Sequence, residues 1–305
     1  MSNEKSSPAA PVAASPSKGL VFLRRLLSFV VLWSIVLGAE FSGNRLISDY
    51  VFLVILVVLT VLGLREFYRL VSRRGLACFP GMGLCGGLLL VISTFFFLAG
   101  RAGVQPALVN DFETAFLILF VLGLCFRQFL ARTNPDGLTA ISTTLFGLMY
   151  VAWLLNFIQK INFYPRGDGH FFLLYFILVT KFSDTGAYLT GSLIGRHKMI
   201  PRISPGKTWE GFGGAILFST GVSLAYVHAF GSRMAGMGLR DAAILGVLLS
   251  VTAVVGDLIE SLFKREAGVK DSGSLFPGVG GILDLLDSLL FNAPLMYLYM
   301  RLVLS

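Results

Sequence analysis

Long apolar runs separated by short polar segments dominate the pattern of this chain from residue 21 to residue 303. A run of roughly 20 apolar residues is long enough for a helix to cross the hydrocarbon core of a bilayer. The pattern predicts nine such helices, near 21–39, 46–64, 84–100, 113–130, 138–158, 170–190, 210–230, 241–259 and 282–303. Because the alternation typical of barrel strands is lacking in the sequence, we predict an all-α, polytopic helical membrane protein.

The same pattern divides the chain into three predicted regions. Residues 1–19 are rich in Pro, Ser and Ala, and such a composition cannot bury a core, so we expect a disordered tail. Residues 20–169 hold the N-terminal transmembrane helices. Residues 170–305 form a C-terminal transmembrane region with most of the unusual polar residues, and we expect catalysis there.

The amino-acid composition agrees with a membrane protein. Of the 305 residues, 55% are hydrophobic and only 14% are charged, whereas soluble proteins carry about 25% charged residues. A soluble α/β enzyme is excluded because so few charges could not cover its surface. The net charge of +8 would indicate nucleic acid in a soluble protein. In a membrane protein it is typical of basic cytoplasmic loops, and we expect no nucleic-acid partner.

Lys and Arg are distributed unequally between the two sides of the predicted bundle. The N-terminal tail and alternate loops hold 17 of them, the opposite loops hold 7, and Lys181 lies inside a predicted helix. This asymmetry places the N-terminus and the loops near 191–209 and 260–281 in the cytoplasm. Two basic loops would then face the same compartment, where they can attract anionic nucleotides or lipid headgroups.

Several ionisable residues lie inside or at the edge of predicted membrane helices. Lys181 and Asp184 share one helix face, where they could be either a neutralising pair that lets the helix insert or part of a functional site. Asp284 and Asp287 also share a face, and no Lys or Arg lies within four positions of them. Because like charges on one face repel, this second pair indicates a bound cation or a basic partner from elsewhere in the chain.

The stretch GDLIESLFKREAGVKD, residues 256–271, concentrates charge of both signs. Asp257 and Ser261 lie four residues apart on one helix face, and Lys264 and Arg265 follow one turn later. A carboxylate and a hydroxyl suit a metal-bound phosphate, and the two cations suit phosphate oxygens. The alternative is that both cations only orient the helix at the membrane surface.

The residue types favour magnesium over zinc. Asp257, Asp284 and Asp287 offer carboxylate oxygens, which Mg²⁺ accepts together with water and substrate phosphates. Zinc would require His or Cys ligands, and the three histidines of the chain are scattered. We therefore predict phosphate chemistry assisted by Mg²⁺, for which the protein need not supply a covalent nucleophile. The sequence leaves open whether a second cation binds.

The C-terminal region resembles the phosphatidate cytidylyltransferases, also called CDP-diacylglycerol synthases. The residues SLFKREAGVKDSGSLFPGVGGILDLLDS, numbered 261–288, fit the C-terminal motif of that family. The upstream stretch SDTGAYLTGSLIGRHKMIPRISPGKTWEG resembles the family as well. Val279 and Leu285 stand where the family commonly has His and Arg, so no role of those two side chains is carried over.

The resemblance implies that CTP and phosphatidate react to CDP-diacylglycerol and pyrophosphate with Mg²⁺. It also implies a homodimer in the bacterial inner membrane, and we expect the active site to face the cytoplasm. We expect the catalytic residues to be Asp257, Ser261, Lys264, Arg265, Asp284 and Asp287. The residues expected to bind CTP or the lipid headgroup are Lys181, Asp184, Ser204, Lys207, Thr208, Lys270 and Asp271.

Two other functions stay open at this point. A CTP-dependent polyprenol kinase, or a cytidylyltransferase for another lipid, would use similar residues, and the kinase would release CDP instead of pyrophosphate. An ion-coupled transporter would use Lys181, Asp184 and Asp287 as a relay. Such a transporter predicts inverted repeats, and we find no internal repeat in the sequence.

Overall fold

The computed structural model describes residues 44–101, 103, 105–131, 136–234, 236–273 and 280–304. Eight long helices make up most of this part of the chain. They are α1 (Arg45–Arg73), α2 (Pro80–Leu98), α3 (Val109–Leu130), α4 (Gly137–Asn162), α5 (Gly169–Ile194), α6 (Trp209–Phe230), α7 (Leu239–Glu266) and α8 (Ile282–Val303). Short 3₁₀ turns cover Pro106–Leu108 and Gly231–Arg233, and α4 contains a π-helical stretch, Leu148–Trp153.

The helices are those of an all-α, polytopic membrane protein, as the sequence predicts. Within the described ranges, seven helices are long and apolar enough to cross a membrane. The eighth, α5, has 26 residues and carries Lys181 and Asp184. Every predicted helix after the first has a counterpart. The predicted helix near 21–39 and the predicted tail 1–19 lie outside the described residues, so the count of nine stays a prediction.

Two features of the fold differ from the prediction. Helices α1 and α7 end at Arg73 and Glu266, beyond their predicted ends at 64 and 259, because a helix continues through polar residues after its apolar stretch is complete. The loop between α5 and α6 contains a small antiparallel hairpin that was not predicted. Its strands are β1 (Lys198–Ile200) and β2 (Ser204–Thr208), and Lys198 lies opposite Thr208.

The four C-terminal helices pack against one another in chain order. Helix α5 packs along α6, α6 along α7, and α7 along α8, while α8 also contacts α4 and α1. The apolar core between them includes Phe172, Tyr175 and Phe176 of α5, which are fully buried. Such close-packed aromatic side chains hold the helices at fixed positions, and the polar residues near their ends are therefore fixed as well.

Two glycines allow the backbones of α5 and α6 to come very close. A Cβ atom placed on Gly186 would lie 2.7 Å from the carbonyl oxygen of Gly214, and one placed on Gly214 would lie 2.8 Å from that of Gly186. Small residues at such crossings let helices in membranes pack backbone to backbone.

The substitution Gly214→Val should push α5 and α6 apart. Because the added atoms meet backbone and the side chain of Thr190, we expect a loss of about 1–3 kcal/mol in the free energy of unfolding. Gly213→Val is the matched control, since a Cβ atom at Gly213 meets nothing within 4 Å. Thermal melting of both variants in detergent checks the prediction, and equal melting temperatures would contradict it.

Candidate active site

A cavity of about 550 Å³ lies among α5, α6, α7, α8 and the hairpin. Of the thirteen side chains predicted from the sequence to act in catalysis or binding, seven line it. These seven are Asp184, Ser204, Lys207, Thr208, Asp257, Asp284 and Asp287. Residues separated by up to about one hundred positions in the chain are therefore brought to a single site.

A cluster of three carboxylates forms the most acidic part of the site. Asp257 and Glu260 lie three residues apart on α7, and Asp287 approaches them from α8, so that one oxygen of each lies within 4.8 Å of the others. The two helices cross closely here, because a Cβ atom on Gly256 would lie 2.6 Å from the carbonyl oxygen of Asp287. The sequence analysis predicted Asp257 and Asp287 but missed Glu260.

These carboxylates fit a hard divalent cation. Glu260 and Asp287 are buried, and Glu260 Oε1 has no hydrogen-bond partner among the described residues. A buried carboxylate oxygen without a partner is unusual, and a cation between the three carboxylates would satisfy it. Asp257, Glu260 and Asp287 are therefore the residues that could hold a metal.

Asp284, predicted as the third metal ligand, is arranged differently. It is the third residue of α8, where Oδ2 accepts hydrogen bonds from the backbone N of Gly281 at 2.7 Å and of Ser272 at 3.1 Å. Its other oxygen, Oδ1, accepts a hydrogen bond from Lys264 Nζ at 2.5 Å. Asp284 lines the cavity, and both of its oxygens accept hydrogen bonds, whereas the close group of carboxylates consists of Asp257, Glu260 and Asp287. The metal role predicted for Asp284 stays a prediction.

Lys264 supplies positive charge between two acidic side chains. Its Nζ atom forms ion pairs with Glu260 Oε2 and with Asp284 Oδ1. Ser261, one turn earlier on α7, lies 3.4 Å from Asp257 Oδ1 and donates a hydrogen bond to it. The predicted order of carboxylate, hydroxyl and cation along one helix face is thus present, with Lys264 directed toward carboxylates.

The hairpin brings a second lysine to the cluster. Lys207 Nζ lies 2.8 Å from Asp257 Oδ2 and donates a further hydrogen bond to the carbonyl oxygen of Val254 at 3.2 Å. Thr208 ends the hairpin and caps α6, because its Oγ1 accepts a hydrogen bond from the backbone N of Gly211 at 3.1 Å. The cap fixes the backbone beside Lys207, and Ser204 lies on the same strand.

The Lys181–Asp184 pair connects α5 to α8. Lys181 Nζ lies 3.2 Å from Asp184 Oδ2, and it also donates to the carbonyl oxygen of Leu285 and to Ser288 Oγ. Ser288 Oγ in turn donates to Asp184 Oδ2 at 3.1 Å. The pair therefore fixes α8 beside the cavity, in addition to neutralising charge within α5.

The three remaining predicted residues lie on the exposed side of the site. Arg265 donates from Nε to the carbonyl oxygen of Ile203 in the hairpin turn, at 3.2 Å. Lys270 and Asp271 are exposed on the segment after α7 and are not among the described residues that line the cavity. Their binding roles stay predictions. Val279 lies outside the described residues.

The sequence analysis also missed Glu66 and Ser272. Glu66 is buried in α1, and its Oε2 lies 2.9 Å from Ser272 Oγ, across 206 positions of sequence. The sequence does contain a signal for Glu260, which is three residues from Asp257 on the same helix face. For Glu66 no spacing rule could reveal a partner so distant in the chain.

Comparison with known proteins identifies the family. A model of the cytidylyltransferase family matches residues 23–303. A protein named phosphatidate cytidylyltransferase from Haemophilus influenzae is 32% identical over 284 residues, which cover 89% of this chain and 96% of that protein. One with the same name from Staphylococcus saprophyticus is 32% identical over 273 residues, with the same coverage.

A shorter match of higher identity agrees with this result. A phosphatidate cytidylyltransferase from Staphylococcus aureus is 41% identical over 166 residues, which cover 52% of this chain and 62% of that relative. The aligned part thus spans less than two thirds of the S. aureus protein. The match of the family model over most of the chain confirms the resemblance seen in the sequence. The chain belongs to the cytidylyltransferase family.

Proposed function

We propose that this protein transfers a cytidylyl group from CTP to phosphatidate, giving CDP-diacylglycerol and pyrophosphate. The observation that carries the proposal is the cavity in which the family motif meets the hairpin, with carboxylates and Lys207 side by side. A volume of about 550 Å³ is within the range of small-molecule and cofactor sites. The names of the relatives support the same substrates.

We propose that Asp257, Glu260 and Asp287 hold Mg²⁺. When bound there, the ion would neutralise charge on the phosphate oxygens of CTP and on the leaving pyrophosphate. Lys207 would release Asp257 and bind a phosphate of CTP, because a lysine on a short hairpin can exchange one anionic partner for another. Lys264 orients Asp284 through their ion pair and offsets part of the negative charge of the site.

The proposed reaction is a direct displacement at the α-phosphorus of CTP and needs no covalent intermediate with the protein. An oxygen of the phosphatidate phosphate forms a bond to the α-phosphorus of CTP. The bond from that phosphorus to the bridging oxygen of pyrophosphate breaks, and pyrophosphate leaves with the electron pair. The protein contributes positioning and charge neutralisation, which supply most of the rate enhancement in phosphoryl transfer.

The basic loops beside the cavity support one orientation of the site. The ends of α5 and α7 and the starts of α6 and α8 meet at the cavity, close in sequence to the described basic residues Arg196, Lys198, Arg202, Lys207, Lys264, Arg265 and Lys270. We propose that this side faces the cytoplasm of a bacterium, where CTP is available, and that phosphatidate enters from the surrounding bilayer. We further propose that residues 170–305 form the catalytic region and that the enzyme is a homodimer.

Purified protein incubated with phosphatidate, Mg²⁺ and CTP labelled at the α-phosphorus tests the proposed function. We expect label in the lipid product and release of pyrophosphate in equal amount. In a parallel incubation with CTP labelled at the γ-phosphorus, transfer of label to the lipid, with CDP as the by-product, would instead show a lipid kinase. Absence of any lipid product, together with cation-dependent uptake by proteoliposomes, would show a transporter and contradict the proposal.

A further inference from the structure

Glu66 is a buried acidic residue far from the family motif in sequence. It lies in α1 and is 5% exposed. Its Oε2 accepts a hydrogen bond from the backbone N of Leu283 at 2.9 Å and lies 2.9 Å from Ser272 Oγ. One carboxylate oxygen therefore binds two segments of the motif at once, the segment after α7 and the start of α8.

The contact with Leu283 satisfies a backbone group that the helix itself cannot satisfy. Leu283 is the second residue of α8, and the first four N–H groups of a helix have no partner inside it. A negative charge at this end is also favourable for the helix dipole. Glu66 thus caps α8 from another helix and holds the start of α8 against α1.

The contact with Ser272 leads to the catalytic side chains. Ser272 Oγ lies 2.9 Å from Asp284 Oδ2 as well as from Glu66 Oε2, so its single proton is shared between two carboxylates. The other oxygen of Asp284 binds Lys264. A continuous series of contacts runs from Glu66 through Ser272 and Asp284 to Lys264, at the edge of the carboxylate cluster.

Two glycines leave room for this arrangement. A Cβ atom on Gly273 would collide with Glu66 Oε1, and one on Gly281 would collide with Ser272 Oγ and Glu66 Oε2. The backbone on both sides of the motif loop therefore comes into direct contact with the Glu66 carboxylate. Only residues without a side chain permit so close an approach.

We propose that Glu66 is a positioning residue that fixes the start of α8 and, through Ser272, the orientation of Asp284. The predicted effect of Glu66 on the reaction rate rests on the proposed cytidylyl transfer, whereas its effect on the position of α8 does not. Glu66 is not among the described residues that line the cavity. It acts through its hydrogen bonds with Ser272 and Leu283 and, through Ser272, on Asp284. Removal of such supporting contacts typically costs about 10–100-fold in activity.

Steady-state kinetics of four variants test the effect on rate: Glu66→Ala, Glu66→Gln, Ser272→Ala and the double variant Glu66→Ala/Ser272→Ala. Glu66→Ala should lower kcat about 10–100-fold and change KM for CTP much less. Glu66→Gln should recover most of this loss, because its carbonyl oxygen can still accept both hydrogen bonds. Adding Ser272→Ala to Glu66→Ala should cost little more, since residues in one network are not additive.

Glu113→Ala is the matched control for lost stability. Glu113 is also 5% exposed, and it pairs with Lys160 at 2.6 Å in another part of the bundle. We expect this variant to melt at a lower temperature than the wild type while the folded protein keeps its kcat. If Glu66→Ala keeps kcat within about threefold of the wild type, the inference is overturned. It is also overturned if the increase in activation free energy of the double variant equals the sum of the increases for Glu66→Ala and Ser272→Ala alone.

Amide hydrogen exchange provides a readout that does not depend on turnover. In the absence of substrates, peptides that contain Ser272 and Leu283 should exchange faster in Glu66→Ala than in the wild type and in Glu113→Ala. If the wild type forms no CDP-diacylglycerol, the proposed function is rejected. Faster exchange in Glu66→Ala would then still support the contacts that Glu66 makes with Ser272 and Leu283. Unchanged exchange would overturn the role of Glu66, whatever the reaction is.

Discussion

Replacing Asp287 with asparagine is expected to lower kcat for CDP-diacylglycerol formation about 10²–10³-fold, the usual cost of weakening one source of transition-state charge stabilisation, because the variant would hold Mg²⁺ less well. Asp287 is buried and lies in the cluster with Asp257 and Glu260. Asparagine has nearly the same volume, so the packing between α7 and α8 is preserved while one negative charge is lost. A radioactive assay with purified protein measures the change.

The same substitution should have the opposite effect on stability when no divalent cation is present. Three carboxylates within 4.8 Å of one another repel unless a cation lies among them. In EDTA we therefore expect the Asp287→Asn variant to melt at a higher temperature than the wild type. Adding Mg²⁺ should stabilise the wild type and leave the variant nearly unchanged.

Asp49→Asn is the matched control for both measurements. Asp49 lies on α1 and forms an ion pair with Arg101 at 2.6 Å, outside the cavity lining. We expect this variant to keep its kcat and its response to Mg²⁺. A variant of Asp287 that melts below the wild type in EDTA, or that keeps wild-type kcat, would show that the aspartate has no part in metal binding.

Replacing Lys264 with methionine should lower the free energy of unfolding more than the Gly214→Val substitution does. Lys264 Nζ contacts Glu260 Oε2 and Asp284 Oδ1, and methionine keeps the length of the side chain but removes its charge. Breaking a buried ion pair by removing one partner costs about 3–5 kcal/mol. We expect the free energy of unfolding in mixed micelles to fall by roughly this amount, and kcat to fall as well.

Two further variants separate the charge of Lys264 from its role in catalysis. Adding Glu260→Gln to Lys264→Met should recover part of the lost stability, because one unpaired charge is removed, while activity stays low. Lys160→Met breaks the Lys160–Glu113 pair elsewhere in the bundle, and it should lower stability while the folded enzyme keeps its kcat. Equal kcat for Lys264→Met and Lys160→Met would argue against a role of Lys264 in the reaction.

The sequence predicts well which residues share one face of a single helix. The spacing of Asp257, Ser261 and Lys264 identifies one face of α7, and the structure shows that face at the carboxylate cluster. The apolar runs likewise predict the existence of each described helix, because membrane helices must present continuous apolar surface to lipid. The ends of the helices are less predictable because the backbone hydrogen bonds of a helix can continue beyond its apolar stretch, as they do in α1 and α7.

Relations between distant elements could not be predicted in the same way. The hairpin is short and contains Pro205 and Gly206, which are typical of loops. The role of Asp284 depends on the exact start of α8, because only a residue in the first turn can accept hydrogen bonds from the cap. The contact of Glu66 with Ser272 depends on how α1 packs in three dimensions.

The most direct test of the central claim is a titration of the purified wild-type protein with Mn²⁺, followed by electron paramagnetic resonance. If Asp257, Glu260 and Asp287 hold a divalent cation, the wild type and Asp49→Asn will bind Mn²⁺ at a saturable site from which Mg²⁺ displaces it. Asp287→Asn will bind it far more weakly. Equal binding of Mn²⁺ by Asp287→Asn and the wild type would contradict a metal at this cluster.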